Sequence, residues 1–414
     1  MRQQPRLQRS FLFLQGPHGS FFPKLGRALA QTGHRVRRIN LNGGDRATWP
    51  TGDDFHGLEA TWRRYLARYL RRWKISDLVL FGDNRPHHVV AIEEAKRAGI
   101  RIHVFEEGYI RPDWVTLERN GVNGHSPLPR DADWYRHQAN GLGPVPVYPP
   151  VPSYATARGW AAFFYYAEVV LQHWRFPFGS THRDRNPVWE GIRFLRRFRL
   201  RDLEQRRTAQ ELDRLGSVSY VLFPLQLNSD FQIRIHSPFG SMHAAIDHVL
   251  TDFARHAPPE LHLVVKEHPL DSGLTNWRNV VESTARHLGI SKRIIFLEQG
   301  DLSKLVEASH GMVTVNSTSG TLALAAGKPV KVLGTAVYDI KGITDSKPLE
   351  RFWSDPTPPD PQTYEAFYRV LVERCLIPGA FLSNVGIDRL VSAAVSRLIS
   401  SETDMVSTKL PTDL

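Results

Sequence analysis

The stretch Leu78-Val-Leu-Phe-Gly-Asp-Asn-Arg-Pro-His-His-Val-Val-Ala-Ile-Glu-Glu-Ala-Lys-Arg-Ala-Gly-Ile-Arg-Ile-His-Val-Phe105 decides the fold. An apolar run, Leu78 to Phe81, is short enough for a buried strand. A stretch of helical period follows from His88 to Ala98, then a second apolar run from Ile100 to Phe105. Strand, helix and strand in immediate succession predict a βαβ unit with a parallel pair and a right-handed crossover. The same rhythm extends towards the start, where Phe11 to Leu14 reads as strand and Phe22 to Gln31 as an amphipathic helix stopped by Gly33. Val36 to Leu41 then reads as strand and Trp62 to Trp73 as helix.

Residues 10–150 therefore read as a Rossmann-like domain, on the acceptor side if the chain is a transferase. Prolines at 127, 129, 144, 146, 149, 150 and 152 mark an irregular connection. Residues 151–212 then read as a helical insertion or linker rich in aromatics and arginines. The βαβ rhythm resumes with strands Tyr220 to Phe223, Leu261 to Val265, Ile294 to Leu297, Met312 to Val315 and Val330 to Leu333. Helices near Met242 to Arg255, Val280 to Leu288, Leu302 to Ala308 and Thr321 to Ala326 lie between them. Two late helices, about Thr363 to Val372 and Ile387 to Ile399, complete a second Rossmann-like domain over 213–400, and a polar tail occupies 401–414. The expected fold class is α/β, two doubly wound domains facing a central cleft. This is the GT-B arrangement of nucleotide-sugar transferases, although a fold alone does not establish an activity.

The chain has 414 residues, 41% hydrophobic and 23% charged, values that exclude a wholly disordered chain and a polytopic membrane protein. Lys+Arg 53 against Asp+Glu 42 gives a formal charge of +11, so an anionic partner is expected. The single cysteine, Cys375, excludes an intrachain disulfide and reads as a core residue. The apolar run after the basic start is too short for a secretion signal. The longest apolar stretch, Trp160 to Leu171, contains Glu168 and falls short of a membrane span, so the protein is expected to be soluble or peripheral.

In open parallel sheets ligands sit beyond the carboxyl ends of the strands, so the residues just after each strand carry the functional reading. Glu106 and Glu107 follow one such run, and adjacent carboxylates there would disfavour each other's ionisation and suit general acid or base work. A solvated turn with Gly108 at positive φ explains the same residues equally well. Lys266-Glu-His-Pro269 follows another strand, and the proline keeps His268 on extended backbone, where it could donate to a phosphate oxygen. Asn316-Ser-Thr-Ser-Gly320 lies between a strand and a helix start, where Ser317, Thr318, Ser319 and Gly320 suggest an anion site rather than a plain cap. Gly16, His18 and Gly19, and the loop of Gln226, Asp230, Gln232 and Arg234, are further cleft candidates. So is Asp83-Asn-Arg-Pro-His-His88, while Glu298 could hold a ribose diol. No GxGxxG, Walker or zinc spacing occurs, so no NAD, ATP or metal site is expected.

Glu106-Glu-Gly108, His268-Pro269 and Ser317-Thr-Ser-Gly320 resemble, in this order, the motifs of bacterial transferases that use CMP-activated acidic sugars. Phe105-Glu-Glu-Gly-Tyr-Ile-Arg-Pro112, which contains Arg111, Phe223-Pro-Leu-Gln-Leu-Asn-Ser-Asp230 and Lys266-Glu-His-Pro269 resemble the capsule polysaccharide synthesis/export family of KpsS type, over about Phe11 to Leu333. The resemblance implies a retaining β-Kdo transferase that moves Kdo from CMP-Kdo to a lyso-phosphatidylglycerol-type lipid, starting the capsule linker without a metal or cofactor. It implies that His268 and the Ser317 to Gly320 loop hold the donor's phosphate and carboxylate, with Glu107 or Glu106 as the catalytic carboxylate. It places the protein in the cytoplasm, peripheral on the anionic inner-membrane surface, with other capsule assembly or export proteins as further partners. One set of motifs, where two-module relatives carry two, favours a single addition.

Phe163, Phe164, Tyr165 and Tyr166 crowd the middle region, and seven arginines lie between Arg193 and Arg207, a pairing that suits an anionic lipid surface. A helical insertion with core aromatics and a solvated arginine face explains the same composition. A nucleic-acid binder is the rival from another class, but no recognition motif supports it and the strand-end motifs would be idle. A sialyltransferase, another CMP- or UDP-sugar transferase, or a non-catalytic export component are the remaining alternatives.

Overall fold

The computed structural model describes residues 8–151, 155–179, 204–216, 218–271 and 273–400. It divides into two compact units, one built from Met1–Pro127, Pro146–His182 and Arg374–Leu414, the other from Leu128–Val145 and Arg183–Glu373.

The first unit holds strands β1 (Ser10–Phe13), β2 (Arg35–Asn40), β3 (Asp53–Asp54), β4 (Asp77–Phe81), β5 (Arg101–Glu107) and β6 (Trp114–Arg119). The second holds β7 (Tyr220–Pro224), β8 (His262–Lys266), β9 (Ile294–Leu297), β10 (Gly311–Thr314) and β11 (Val330–Val332), and β12 (Leu376–Pro378) returns to the first. The sheet orders are β12-β6-β5-β4-β1-β2-β3 and β11-β10-β7-β8-β9. Each contains the doubly wound order in which the first strand lies between the second and the fourth, so each sheet has one point where the winding reverses. The second sheet is parallel throughout. The first is parallel from β3 to β5, then antiparallel at β6 and β12.

Alternation along the strands explains why helices cover both faces of the first sheet. Leu12, Leu78, Leu80, Ile102 and Val104 pack on one side with Trp62, Leu66, Ala91 and Ala95 from helices Glu59–Arg72 and Pro86–Arg97. Phe11, Phe13, Val79 and Phe105 point the other way, onto Phe21, Phe22 and Leu25 of helix Phe21–Gln31 and Ile387, Leu390 and Ala394 of helix Asn384–Ile399. The second unit buries Val221, Phe223, Leu263, Val265, Phe296 and Val313 with helix Met242–His256 in the same manner.

The α/β class and both parallel cores follow the expected rhythm, but the domain limits differ in three places. The last helix, expected in the second domain, packs in the first unit's core, and β12 extends the first sheet beside β6. Residues Leu128–Val145 belong to the second unit. The expected insertion over 151–212 is not one piece: helix Ala155–Leu171 packs on Gly43–Thr48 in the first unit, and the helix over 204–215 lies in the second. Cys375 is buried and free, as its core role requires.

Candidate functional site

In the second unit the parallel sheet brings its sequence-predicted residues to one edge, because Gln226, Lys266, His268, Glu298 and Asn316 each end or follow one of β7 to β10. At the reversal point between β7 and β10, Gln226 and Asn316 bond reciprocally: Gln226 Nε2 donates to Asn316 Oδ1 at 2.9 Å, and Asn316 N donates to Gln226 Oε1 at 3.2 Å. Asn316 Nδ2 also donates to the carbonyls of Gln232 and His236, at 2.8 and 3.0 Å. Both side chains are buried. They brace the loops and leave the open surface of the edge to others.

Ser317 to Gly320 folds on itself. Ser317 Oγ accepts from Ser319 N at 3.1 Å and from Ser319 Oγ at 2.8 Å, and Gly320 N donates to Ser317 O at 3.0 Å. Tyr338 donates its hydroxyl to Ser317 O. Gly320 is required because a Cβ there would lie 2.3 Å from the Tyr338 hydroxyl. The loop's own groups thus satisfy part of its hydrogen-bonding capacity. Several amides are already paired, and Thr318, partly exposed and without a capping bond, is the hydroxyl residue that remains for a ligand.

His268 follows β8, and its Nδ1 accepts from Leu270 N at 3.0 Å. With Nδ1 accepting, a neutral ring carries its proton on Nε2. Lys266 is buried, with Nζ donating to Glu267 O at 3.2 Å, and Pro269 is exposed beside the histidine. Glu298 is engaged by Arg278 at both oxygens, 2.6 and 2.7 Å, a bidentate pair that raises the guanidinium's affinity for its proton despite burial. The pair fixes the loop after β9 to helix Trp277–His287. Asp230 caps the short helix Phe231–Arg234 through Gln232 N at 2.9 Å, and Arg234 is exposed.

In the first unit Glu106 and Glu107 are the last residues of β5, paired with Thr116 and Val115 of β6, and are not in the loop beyond it. Successive strand residues leave on opposite faces, so the side-by-side carboxylate repulsion expected from their adjacency is not built. Glu106 Oε1 accepts from Glu107 N at 2.9 Å, and Glu107 Oε1 pairs with Arg158 of helix Ala155–Leu171 at 2.8 Å. Gly108 does not take positive φ. A Cβ there would lie 2.2 Å from the Trp114 carbonyl, so close backbone approach in the β5–β6 hairpin demands it. Arg111, in that hairpin, is exposed, with Nε 3.4 Å from the Gly108 carbonyl.

The loop after β1 lies at the same carboxyl edge. His18 packs against Tyr165 with its ring tilted 33°, centroids 4.6 Å apart, and meets Tyr166 edge-on at 5.7 Å. Gly16 is there because a Cβ would strike Phe22 at 2.5 Å, and Gly19 has φ +100. After β4, Asp83 is buried and accepts from Val122 N at 3.0 Å, so it holds the chain beyond β6. The buried Arg38–Asp45 pair, 3.0 Å apart, sits behind this edge with Tyr165, whose hydroxyl donates to Asp45 at 3.1 Å.

Arg158 and Tyr338 escaped the sequence reading. They act on Glu107 and Ser317 from 51 and 21 positions away, and no local signal reports such contacts. Of the seven arginines from Arg193 to Arg207, Arg206 and Arg207 are exposed on the helix over 204–215, and the other five lie outside the described residues.

With the residues placed, comparison with known proteins decides the family. The capsule polysaccharide biosynthesis protein family model matches residues 76–382. The chain belongs to that family. It is 35% identical over 388 residues to the capsule polysaccharide modification protein LipB of Neisseria meningitidis serogroup B, covering 91% of this chain and 92% of that one. It is 34% identical over 386 residues to the capsule polysaccharide export protein KpsS of Escherichia coli, covering 90% and 97%. Among solved structures it is similar to a β-Kdo 2,7 transferase of Thermosulfurimonas dismutans, KpsC, with TM-score 0.44 and 14% identity over 94% of this chain and 100% of that one.

Proposed function

We propose that this capsule-family protein is a glycosyltransferase of GT-B type that moves Kdo from CMP-Kdo to a lyso-phosphatidylglycerol-type lipid. The product would be the start of the linker on which capsular polysaccharide is built and exported. The unit carrying β7 to β11 takes the donor, and the unit carrying β1 to β6 takes the acceptor. The observation that carries the reading is that the His-Pro and Ser/Thr-Gly motifs follow β8 and β10 of one parallel sheet, while the Glu-Glu-Gly motif ends β5 of the other.

The chemistry is coherent at those positions. CMP-Kdo presents two anions, the phosphodiester and the sugar's own carboxylate. The His268 Nε2–H and the Thr318 hydroxyl and amide donate to them, strengthening as charge develops on departing CMP. A nucleoside monophosphate leaves with hydrogen-bond assistance, so no metal or cofactor is assigned. Glu107, oriented by Arg158, is the carboxylate assigned to the developing oxocarbenium ion, and Glu106 is the alternative. The enzyme is expected to retain anomeric configuration, to add one sugar, and to work at the cytoplasmic face of the inner membrane beside other capsule assembly or export proteins.

Incubation of the purified protein with CMP-Kdo and synthetic lyso-phosphatidylglycerol, followed by mass spectrometry, is expected to reveal a one-sugar mass gain. Gain from CMP-sialic acid instead would move the donor assignment. No gain from any CMP- or UDP-sugar, with capsule still supported in cells by a Glu107→Gln variant, would move the protein to a non-catalytic export role.

A further inference from the structure

Helix Ala155–Leu171 and the turn after it carry an apolar surface that the first unit's core does not use. Trp160, Phe163 and Phe164 are about 60% exposed, at 61, 60 and 61%, and Leu171, Trp174 and Phe178 are at 68, 77 and 56%. Their spacing of three and four places Trp160, Phe163, Phe164, Leu171 and Trp174 along one stripe if the helical register runs on. Trp160 stacks on Phe164 at 5.9 Å and meets Phe163 edge-on at 5.8 Å, so the rings form one cluster.

The opposite side of the helix is fixed. Tyr165 is buried, donating to Asp45 and accepting from Asn42 Nδ2 at 3.0 Å. The helix backbone runs so close to Gly43 and Gly44 that a Cβ at Gly43 would lie 2.4 Å from Glu168 O, and one at Gly44 2.7 Å from Tyr165. The helix cannot roll to hide the aromatic stripe without breaking these contacts.

We propose that this stripe is a membrane-docking surface, and that its occupant is the headgroup and upper acyl region of a bilayer containing anionic phospholipid. The helix would lie in the plane of the interface. Tryptophans near both ends with phenylalanine and leucine between them match the side chains that settle at the boundary of water and hydrocarbon. Among the described residues no helix is long and apolar enough to cross a membrane, so the surface lies on the bilayer. The formal charge of +11 supplies the attraction to anionic headgroups. Apart from two indole N–H groups the stripe offers no donors or acceptors to set a protein partner's register. The proposal deepens the lipid-acceptor reading, but its test measures no transfer, so either can fail without the other.

The test uses the full chain with vesicles of phosphatidylcholine alone or mixed equally with phosphatidylglycerol, read by co-sedimentation and by tryptophan quenching from acyl-brominated lipid. The wild type is expected to bind the mixed vesicles more tightly and to be quenched. The variant Trp160→Ser/Phe163→Ser/Phe164→Ser should bind at least about tenfold more weakly, with circular dichroism and thermal midpoint unchanged. Trp174→Ser/Phe178→Ser should weaken binding in the same direction. The proposal is overturned if the wild type ignores mixed vesicles, if both variants bind as it does, or if it binds without quenching. A wild-type dimer that the triple variant converts to monomer would overturn it too, since a second copy would then cover the stripe.

Discussion

His268→Ala is expected to lower Kdo transfer about a hundredfold or more, the usual cost of removing one preorganised donor to a developing anion, with the fold intact. Steady-state kinetics on the purified variant check this, and unchanged kcat/KM would remove the histidine from the donor site. Glu107→Gln should cost at least as much if that carboxylate acts in the transition state, whereas Arg158→Met should lower kcat with partial rescue by Arg158→Lys, because Arg158 acts by positioning Glu107. Glu118, buried against Tyr109 and Ser126, makes a separate prediction about stability. Burial pushes its carboxyl up to about 7 from an ordinary 4.5. A raised carboxyl favours the folded state while protonated, so its contribution is complete below about pH 4.5 and is lost as pH rises towards 7. Glu118→Gln should remove that slope, shifting the difference in unfolding free energy between pH 4.5 and 8 by about 2–3 kcal/mol in denaturant titrations. A slope unchanged by the substitution would show that the group titrates normally.

The first turn of helix Ser319–Ala325 depends on a glycine for a reason that is steric and not conformational. Gly320→Ala places a methyl against the Tyr338 hydroxyl, and overpacking of this kind costs about 1–3 kcal/mol. Adding Tyr338→Phe removes the closest atom and should recover part of the lost thermal stability; no recovery would place the strain elsewhere. At this scale the sequence was legible where a signal is local. The strands around Leu78–Phe81, Leu261–Val265 and Met312–Val315 read correctly because apolar runs and helical period suffice to find them. β6 was not read, since Trp114–Arg119 mixes polar and apolar residues, although Val115, Thr116, Leu117 and Glu118 are all buried. The Glu-Glu pair was placed just past its strand, where one residue's difference reverses the face on which each carboxylate leaves. Pairings such as Glu298 with Arg278 and Asn316 with Gln226 follow from the fold, and no spacing in the chain reports them.

For the whole molecule, both parallel sheets were predictable from rhythm alone, but the limits of the units were not. Nothing in the composition of residues 374–400 distinguishes a helix that closes its own domain from one that packs on Phe21, Phe22 and Leu25 more than 350 positions earlier. The ordering of contacts decides it, and that is a property of the tertiary structure. A variant carrying Leu390→Ala should therefore destabilise the first unit, by about 2–5 kcal/mol for a fully buried leucine. Protection of β1 and β4 amides in hydrogen exchange should fall while that of β7 and β8 is kept; equal loss in both units would show that they unfold as one.

The return of β12 and the last helix to the first sheet has a consequence for biosynthesis. The second unit's long segment is synthesised before Arg374, so its folding can begin before the last helix exists. The first unit, although its sheet is begun earlier, must wait with an uncovered aromatic face until the residues after Arg374 have emerged. A chaperone that binds apolar surface on nascent chains should accordingly hold the strands of the first sheet until helix Asn384–Ile399 covers them.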